Sequence, residues 1–180
     1  MEINGAMRYK QIMLTVMMET HNQEAELVQT LSGLVSAAVE GLVAEVVVLD
    51  HASSDGSARI ADAAGCRFLA DWNLGDVLAS ARGDWILFIE PGARLQQGWI
   101  DEVLEHVSLN ETPARFSLAR SYRRPLLKRM VAKPPPLEDG LLLTKRQALS
   151  AAQSGQDLTR LKAVRLASEV IPARSLRAAG

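Results

Sequence analysis

Short apolar runs alternate with segments of helical periodicity through the first two thirds of the chain, and this alternation is the strongest constraint on its fold. The runs are short and apolar, and most of them contain several β-branched residues, which is typical of strands buried on both faces. Between the runs, apolar residues recur three or four positions apart, which indicates amphipathic helices. This succession predicts a parallel sheet covered by helices. The predicted strands are Ile12–Met18, Val43–Leu49, Cys66–Ala70 and Trp85–Ile89, and the helical spacing is carried by Leu27, Leu31, Leu34 and Val35 and later by Ile100, Val103, Leu104 and Val107.

Composition limits the chain to one globular unit. An apolar content of 48% with 23% charged residues excludes a disordered chain, and 180 residues suffice for one good core. The longest apolar stretch, 34–49, is interrupted by Glu40 and Glu45, so it does not predict a membrane-spanning helix. The N-terminus lacks the apolar centre of a secretory signal, and a single cysteine, Cys66, excludes an intramolecular disulfide. We expect one cytoplasmic domain over residues 1–180.

The net charge of −1 conceals a strong segregation of charge along the chain. Residues 1–113 carry 6 basic and 17 acidic side chains, a formal charge of −11, whereas residues 114–180 carry 14 basic and 4 acidic ones, a formal charge of +10. Such asymmetry indicates that the acidic and basic segments of the domain have different tasks.

Ligands of parallel α/β sheets bind beyond the carboxyl ends of the strands, which selects the loops 19–22, 50–57 and 90–92 as candidates. Asp50 ends a buried strand and can accept a hydrogen bond from a base or ribose. Ser53 or Ser54 can cap a helix whose N-terminal amides favour phosphate. A plain strand-to-helix turn shaped by Asp55 and Gly56 is the alternative, and the spacing leaves both interpretations open.

Three ordered segments together resemble the family 2 glycosyltransferases of the GT-A fold. They are LTVMMETHNQEAELVQTLSGL, EVVVLDHASSDGSARIADAAGC and ARGDWILFIEPGARLQQGWIDEV, and they span about the first 105 residues. The resemblance implies a single GT-A-like (Rossmann-like) α/β domain with a mostly parallel central sheet flanked by helices. It also implies a nucleotide-sugar donor as the ligand, bound by the acidic residues 1–113, with the basic residues 114–180 on the acceptor side.

The resemblance assigns residues to the donor site. It places Thr20 and His21 beside the nucleotide base, with Glu19 at the position of the family's proline. Asp50 becomes the base-binding carboxylate, and Ser53 matches the motif that follows it, although His51 replaces a second Asp. The residues expected to bind the nucleotide-sugar are Glu19, Thr20, His21, Asp50, Ser53 and Glu90.

The largest departure from the family lies at Glu90-Pro91-Gly92, which stands where the family has D-x-D. Those carboxylates hold a divalent cation on the donor diphosphate, because hard cations prefer oxygen ligands. Glu90 keeps one carboxylate for a ribose or a metal, whereas Gly92 offers no ligand. We therefore assign no metal-ligating residues, and a weakly bound Mg²⁺ or Mn²⁺ is the cofactor that the resemblance leaves open.

Two further segments resemble the acceptor side of the family. Residues 139–146 look like the strand that leads into the acceptor-side helix, and GQDLTRL at 155–161 looks like a compressed acidic motif. In the family this motif supplies the general base of an inverting transfer. Asp157 is the matching candidate, since a carboxylate can take the hydroxyl proton, and Asp139 is the reserve candidate. An aspartate at a helix N-terminus is the alternative interpretation of Asp157.

A basic stretch from Arg115 to Lys133 holds seven positive residues and no acidic one. Three interpretations stay open: an intramolecular or solvated surface, contact with an anionic membrane near a lipid-linked acceptor at the inner face, or binding of the donor diphosphate in place of a metal. Nucleic acid is not expected, because aromatic residues are scarce and the acidic segment repels phosphate. A homodimer that completes the acceptor site is also open.

Two functions compete at this stage. One is transfer of a sugar to an acceptor hydroxyl with inversion, and the other is a catalytically inactive GT-A relative that acts as a nucleotide-sugar-binding or scaffold protein. A nucleotidyltransferase would need a glycine-rich, basic phosphate loop near the N-terminus, and residues 19–26 contain none.

Overall fold

The fold is built on one eight-stranded sheet with helices on both faces. The structure is a computed structural model that describes residues 12–123 and 137–173. The strands are β1 Leu14–Thr20, β2 Val43–Asp50, β3 Arg67–Leu69, β4 Trp85–Phe88, β5 Arg94–Leu95, β6 Ala114–Leu118, β7 Leu141–Thr144 and β8 Val164–Ile171; the helices are α1 Glu24–Val39, α2 Ser57–Ala63, α3 Leu74–Ser80, α4 Trp99–Leu109 and α5 Lys145–Ser154, and short 3-10 turns lie at Arg120–Tyr122 and Leu158–Arg160.

The first half of the sheet confirms the predicted strand–helix alternation. Strands β3, β2, β1 and β4 are neighbours in that order and run parallel. Both helices predicted from apolar spacing are present as α1 and α4. Likewise, the predicted acceptor-side strand and helix are present as β7 and α5, and α5 begins with a capping box between Thr144 and Gln147.

The sheet as a whole is mixed, so the prediction of a mostly parallel sheet is wrong. The full strand order is β3-β2-β1-β4-β7-β6-β8-β5. Strand β7 pairs antiparallel with β4, where Leu141 faces Phe88, and both the β6–β7 and β5–β8 pairs are antiparallel as well. The prediction extended the alternation of the first half to strands that lie beyond α4. Antiparallel neighbours need no helical crossover, and their pairing leaves no such periodic signal in the sequence.

The two faces of the sheet carry separate apolar clusters. One cluster joins α1, α2 and α4 to the sheet through residues such as Leu27, Ala61 and Val103. The other joins α3 and α5 to the opposite face through Leu78 and Ala148. The prediction of helices flanking the sheet is therefore confirmed. Within residues 12–123 and 137–173, no helix is both long and apolar enough to cross a lipid bilayer.

Candidate functional site

Most of the predicted site residues lie along one edge of the sheet, where the parallel strands end. Thr20 ends β1 and pairs in register with Asp50 at the end of β2, while Glu90 follows β4. Strand β7 runs antiparallel to β4, so it starts at this same edge, just after Asp139. Neighbouring strands lie about 4.8 Å apart, so the three steps from β2 to β7 place Asp50 and Asp139 at opposite ends of an edge about 14 Å long.

Hydrogen bonds join the loops after β1 and β2. The backbone N–H of Asn22 donates to Ser53 Oγ at 2.8 Å, and Asn22 Oδ1 accepts from the backbone of Ser54 at 2.7 Å. Asn22 has a φ of 52°, a left-handed conformation that Asn tolerates better than most residues. His21 Nδ1 lies 2.6 Å from the carbonyl oxygen of His51. These bonds hold the two loops in one fixed arrangement.

Asp50 is buried at the centre of this arrangement, with 4% of its surface exposed. Its Oδ1 accepts from Ser53 Oγ at 2.5 Å, and its Oδ2 accepts from the backbone N–H of Ser53 at 3.0 Å. Each carboxylate oxygen has a second acceptor site, so Asp50 supports the turn and can still accept a hydrogen bond from a ligand. Asp50 therefore combines a structural role in the turn with acceptor capacity for a base or ribose.

Trp72 is a site residue that sequence reasoning missed. It follows β3, and its Nε1 donates to the backbone oxygen of Asp50 at 3.1 Å. The ring of His51 stands edge-on to it with centroids 5.2 Å apart, and His51 Nε2 lies 2.9 Å from Glu19 Oε2. An indole, an imidazole and a carboxylate therefore share one corner of the site. An aromatic residue two positions after the predicted strand Cys66–Ala70 was the available signal.

Thr20 carries a buried hydroxyl at the end of β1, in register with Asp50 on β2. The residue is 1% exposed, and its Oγ1 has no hydrogen-bond partner within residues 12–123 and 137–173. Buried hydroxyl groups are usually hydrogen-bonded, so this oxygen has the character of a group that a ligand completes.

The side chain of Asp55, from the loop after β2, lies at the N-terminus of α1. Its Oδ2 accepts from the backbone of Glu24 at 3.0 Å, and its Oδ1 accepts from the backbone of Ser57 at 3.0 Å. Hydrogen bonds from Ser57, together with the one from Glu24, hold the pKa of Asp55 below its usual range. Neither Ser53 nor Ser54 caps α2, which begins after Gly56 and has no side-chain cap, so the interpretation of these serines as caps of this helix is wrong.

The Glu90-Pro91-Gly92 segment forms a type II turn. The N–H of Ala93 donates to the carbonyl of Glu90 at 3.1 Å, and Gly92 has a φ of 94°. Proline and glycine are the residues that such a turn favours at these two positions. The N–H of Gly92 donates to Thr30 Oγ1 at 2.8 Å, which fixes the turn on α1.

These residues fit a divalent cation poorly. Of the three residues in the turn, Glu90 alone carries a carboxylate. Among the described residues, no group of three or more His, Cys, Asp or Glu side chains is arranged to hold a metal ion. Divalent cations of this kind take six or more oxygen ligands, of which the turn supplies a single side chain.

Asp139 joins three strands. Its Oδ1 accepts from Arg115 Nη1 at 2.8 Å, and its Oδ2 accepts from Arg165 Nη1 at 2.6 Å. Arg115 lies in β6 and Arg165 in β8, so one carboxylate fastens both strands to the start of β7. Each of its oxygens is engaged by a guanidinium group, which gives the residue an evident structural role.

Asp157 is exposed and caps the 3-10 turn at Leu158–Arg160. Its Oδ1 accepts from the backbone N–H of Thr159 at 2.9 Å and from Thr159 Oγ1 at 2.6 Å, while Oδ2 lies 3.2 Å from Arg160 Nε. The hydrogen bond from the Thr159 side chain is the main cause that lowers the pKa of Asp157. The carboxylate is therefore ionised at neutral pH, and it performs the capping role that the sequence left as an alternative.

The fold defined by this sheet is that of the GT-A-type glycosyltransferases. No family model and no curated protein sequence matches the chain. Glucosyl-3-phosphoglycerate synthase from Mycobacterium tuberculosis, solved with Mg²⁺ and uridine diphosphate, is similar over 92% of this chain and 74% of its own, with a TM-score of 0.56 and 19% identity. The S. aureus TarS structure with UDP is similar over 74% of this chain and 47% of its own, with a TM-score of 0.54 and 15% identity. At such identities the likeness establishes the fold.

Proposed function

We propose that the chain is a glycosyltransferase of the family 2 type, which transfers a sugar from a nucleotide-sugar to an acceptor hydroxyl with inversion. The observation that carries the proposal is the arrangement of Asp50, Thr20, Glu90 and Asp139 along one edge of a glycosyltransferase fold. Arg115 ties the Asp157 turn to Asp139 and so to the far end of this edge.

The nucleotide is proposed to bind at the β1–β2 end of the edge. Asp50 has acceptor capacity left for a base or ribose. Thr20 pairs in register with Asp50, and its buried hydroxyl has no hydrogen-bond partner among the described residues. Glu19, His21 and Trp72 border the same corner, where an aromatic ring offers a surface for a base. The donor then extends along the 14 Å edge, about three strand spacings, and brings its sugar toward the acceptor side.

Asp157 is the proposed general base. The acceptor hydroxyl gives its proton to the Asp157 carboxylate as its oxygen bonds to the anomeric carbon, and the nucleoside diphosphate leaves with the electrons of the broken bond. The anomeric configuration inverts because attack and departure occur on opposite faces. Asp139 is the weaker candidate, since Arg115 and Arg165 engage both of its oxygens.

The leaving diphosphate needs its charge balanced. Another structure of the M. tuberculosis synthase contains Mn²⁺ with UDP, at 20% identity to this chain. Here Glu90 is the carboxylate that the turn offers to a Mg²⁺ or Mn²⁺ ion carried by the diphosphate, and the described residues form no complete cation site. We therefore propose at most weak metal binding and assign no step of the reaction to a metal.

One observation favours a second candidate function, a nucleotide-sugar-binding or scaffold protein without catalysis. Asp157 is engaged as a turn cap by Thr159 and Arg160. These contacts engage the carboxylate that is proposed as the base. They do not involve the residues that are proposed to bind the nucleotide.

The experiment is calorimetric titration with a panel of uridine-, guanosine- and thymidine-diphosphate sugars, with and without Mg²⁺ or Mn²⁺, followed by NMR detection of transfer. Donor binding and an inverted product support the enzyme. Binding without transfer or hydrolysis supports the scaffold, and a product of retained configuration contradicts inversion. Failure of every donor to bind overturns the enzyme and the nucleotide-sugar-binding function, and it leaves a scaffold protein as the remaining alternative.

The described residues of the basic stretch favour an intramolecular role for its charge. Arg115 pairs with Asp139, and Arg123 pairs with Glu169 at 3.1 Å. Arg124, Lys128, Arg129 and Lys133, together with the triple proline at 134–136, lie outside the described residues.

Contact with an anionic membrane near a lipid-linked acceptor stays a proposal, and co-sedimentation with anionic vesicles that falls as salt rises would support it. Analytical ultracentrifugation tests the proposed homodimer.

A further inference from the structure

The Arg115 side chain makes three hydrogen bonds to two segments of the acceptor side, the start of β7 and the 3-10 turn at Leu158–Arg160. The side chain is 12% exposed, and its guanidinium donates to Asp139 Oδ1 at 2.8 Å, to the Gly140 carbonyl at 3.1 Å and to the Thr159 carbonyl at 2.8 Å. A planar guanidinium carries five N–H donors in a fixed fork, whereas an ammonium group cannot reproduce that geometry. Arg115 therefore fastens the 3-10 turn to the start of β7.

Thr159 passes this restraint to Asp157. Its carbonyl accepts from Arg115, while its N–H and its hydroxyl both donate to Asp157 Oδ1. All three groups belong to one residue, so a displacement of Thr159 displaces the Asp157 carboxylate as well. Asp139 anchors the other end of the chain of contacts and is held in turn by Arg165.

We infer that Arg115 and Thr159 are positioning residues for Asp157, which they hold in one orientation at the acceptor end of the site. The inference rests on the proposed function, in which Asp157 is the base. In this inference Asp139 anchors Arg115 and is not the general base, for which it was the reserve candidate. The contacts that fix the carboxylate run from Asp139 to Arg115, from Arg115 to Thr159 and from Thr159 to Asp157.

The first test measures the pKa of Asp157 by carboxyl-carbon NMR, which does not depend on activity. Thr159→Val removes the hydroxyl bond and is expected to raise this pKa, whereas Thr159→Ser keeps the hydroxyl and restores it. Arg115→Lys releases Thr159 and is expected to raise the pKa too. Arg123→Lys is the matched control, because Arg123 lies on the same basic stretch and pairs with Glu169 instead.

The second test is kinetic. Both Arg115→Lys and Thr159→Val are expected to lower kcat roughly tenfold to a hundredfold while the KM for the donor is unchanged, because a misplaced base affects the chemical step and not donor binding. A higher pKa of the base also moves the acid limb of the pH–rate profile to higher pH. Thr159→Ser and Arg123→Lys are expected to retain the wild-type profile.

An unchanged Asp157 pKa in folded Arg115→Lys overturns the inference, whether or not transfer occurs. If that variant fails to fold, Asp139→Asn takes its place, since it leaves the guanidinium without its carboxylate anchor. A wild-type protein that binds no donor and transfers no sugar overturns the proposed function, while the NMR measurement still decides the positioning of Asp157. A wild-type kcat in Arg115→Lys overturns its catalytic relevance.

Discussion

Gly83 packs against the backbone of Thr15 so closely that a Cβ on Gly83 would overlap the Thr15 nitrogen. The N–H of Gly83 donates to Thr15 Oγ1 at 2.9 Å, and Thr15 is fully buried. The glycine of the segment Ala81-Arg82-Gly83-Asp84 is thus explained by the close approach of the chain to β1 just before β4 begins. Its role is structural and independent of any donor.

Gly83→Ala is expected to destabilise the protein by about 2 kcal/mol, because the methyl group meets backbone atoms that cannot move aside cheaply. Urea unfolding measures the change. Gly33→Ala is the matched control: Gly33 lies inside α1 with no atom within 4 Å of the place that the new methyl group would take, so the substitution is expected to stabilise by about 0.5–1 kcal/mol. Equal stability of the two variants would contradict the packing argument.

Asp55→Asn is expected to lower the stability at neutral pH by about 1 kcal/mol, because the carboxylate caps α1 through the N–H of Glu24. Hydrogen bonds from Ser57 depress the folded pKa of Asp55, so its contribution is present above the unfolded pKa of about 3.9 and is lost as the pH falls through the lower folded value. The difference in the free energy of unfolding between the variant and the wild type should therefore disappear at acid pH.

Urea unfolding from pH 7 downward measures this difference. Asp62→Asn is the control, since Asp62 is an exposed acid on the neighbouring helix α2. A constant difference between Asp55→Asn and the wild type at every pH would show that the charge of Asp55 is not the stabilising feature.

Local sequence patterns predicted the helices and strands, but they did not predict which distant strands pair with each other. The apolar spacing of Leu27 and Leu31 identifies α1 because it depends on residues a few positions apart. The pairing of Phe88 with Leu141 joins residues far apart in sequence, and it makes the sheet mixed. No periodic signal in the chain encodes that pairing.

In the candidate site, too, single residues could be predicted from the sequence, whereas contacts between distant segments could not. Asp50 could be singled out because it ends a buried strand, but Trp72 contacts it only through the fold, as its indole N–H donates to the Asp50 carbonyl. The two arginines on Asp139 come from β6 and β8 and were not predictable from spacing. Sequence reasoning thus located the loops of the site and missed the contacts between distant segments.

Trp72→Ala is expected to weaken nucleoside diphosphate binding, because it removes the aromatic side of the corner formed with His51 and Glu19. Trp72→Phe keeps a ring and loses the hydrogen bond to Asp50, so we expect a loss of stability of about 1 kcal/mol with a smaller loss of affinity. Calorimetry and urea unfolding measure the two effects. Wild-type affinity in Trp72→Ala would assign the indole to packing alone.

Asp157→Asn is expected to abolish sugar transfer while donor binding stays intact. The amide is nearly isosteric and its oxygen can still accept from Thr159, so the turn is retained, but the amide cannot take the acceptor proton. Loss of a general base lowers kcat by about 10²- to 10⁴-fold. Asp101→Asn, an exposed acid on α4, is the control.

The pH dependence of transfer separates a base from a turn cap at Asp157. The hydrogen bond from the Thr159 side chain is the main cause of its lowered pKa, so activity that depends on the ionised form falls only as the pH drops below the usual carboxyl range. The measurement is kcat against pH for the wild type, with unfolding followed in parallel. Transfer that persists in Asp157→Asn with an unaltered profile would remove Asp157 from the reaction, because an amide has no proton to exchange over that range.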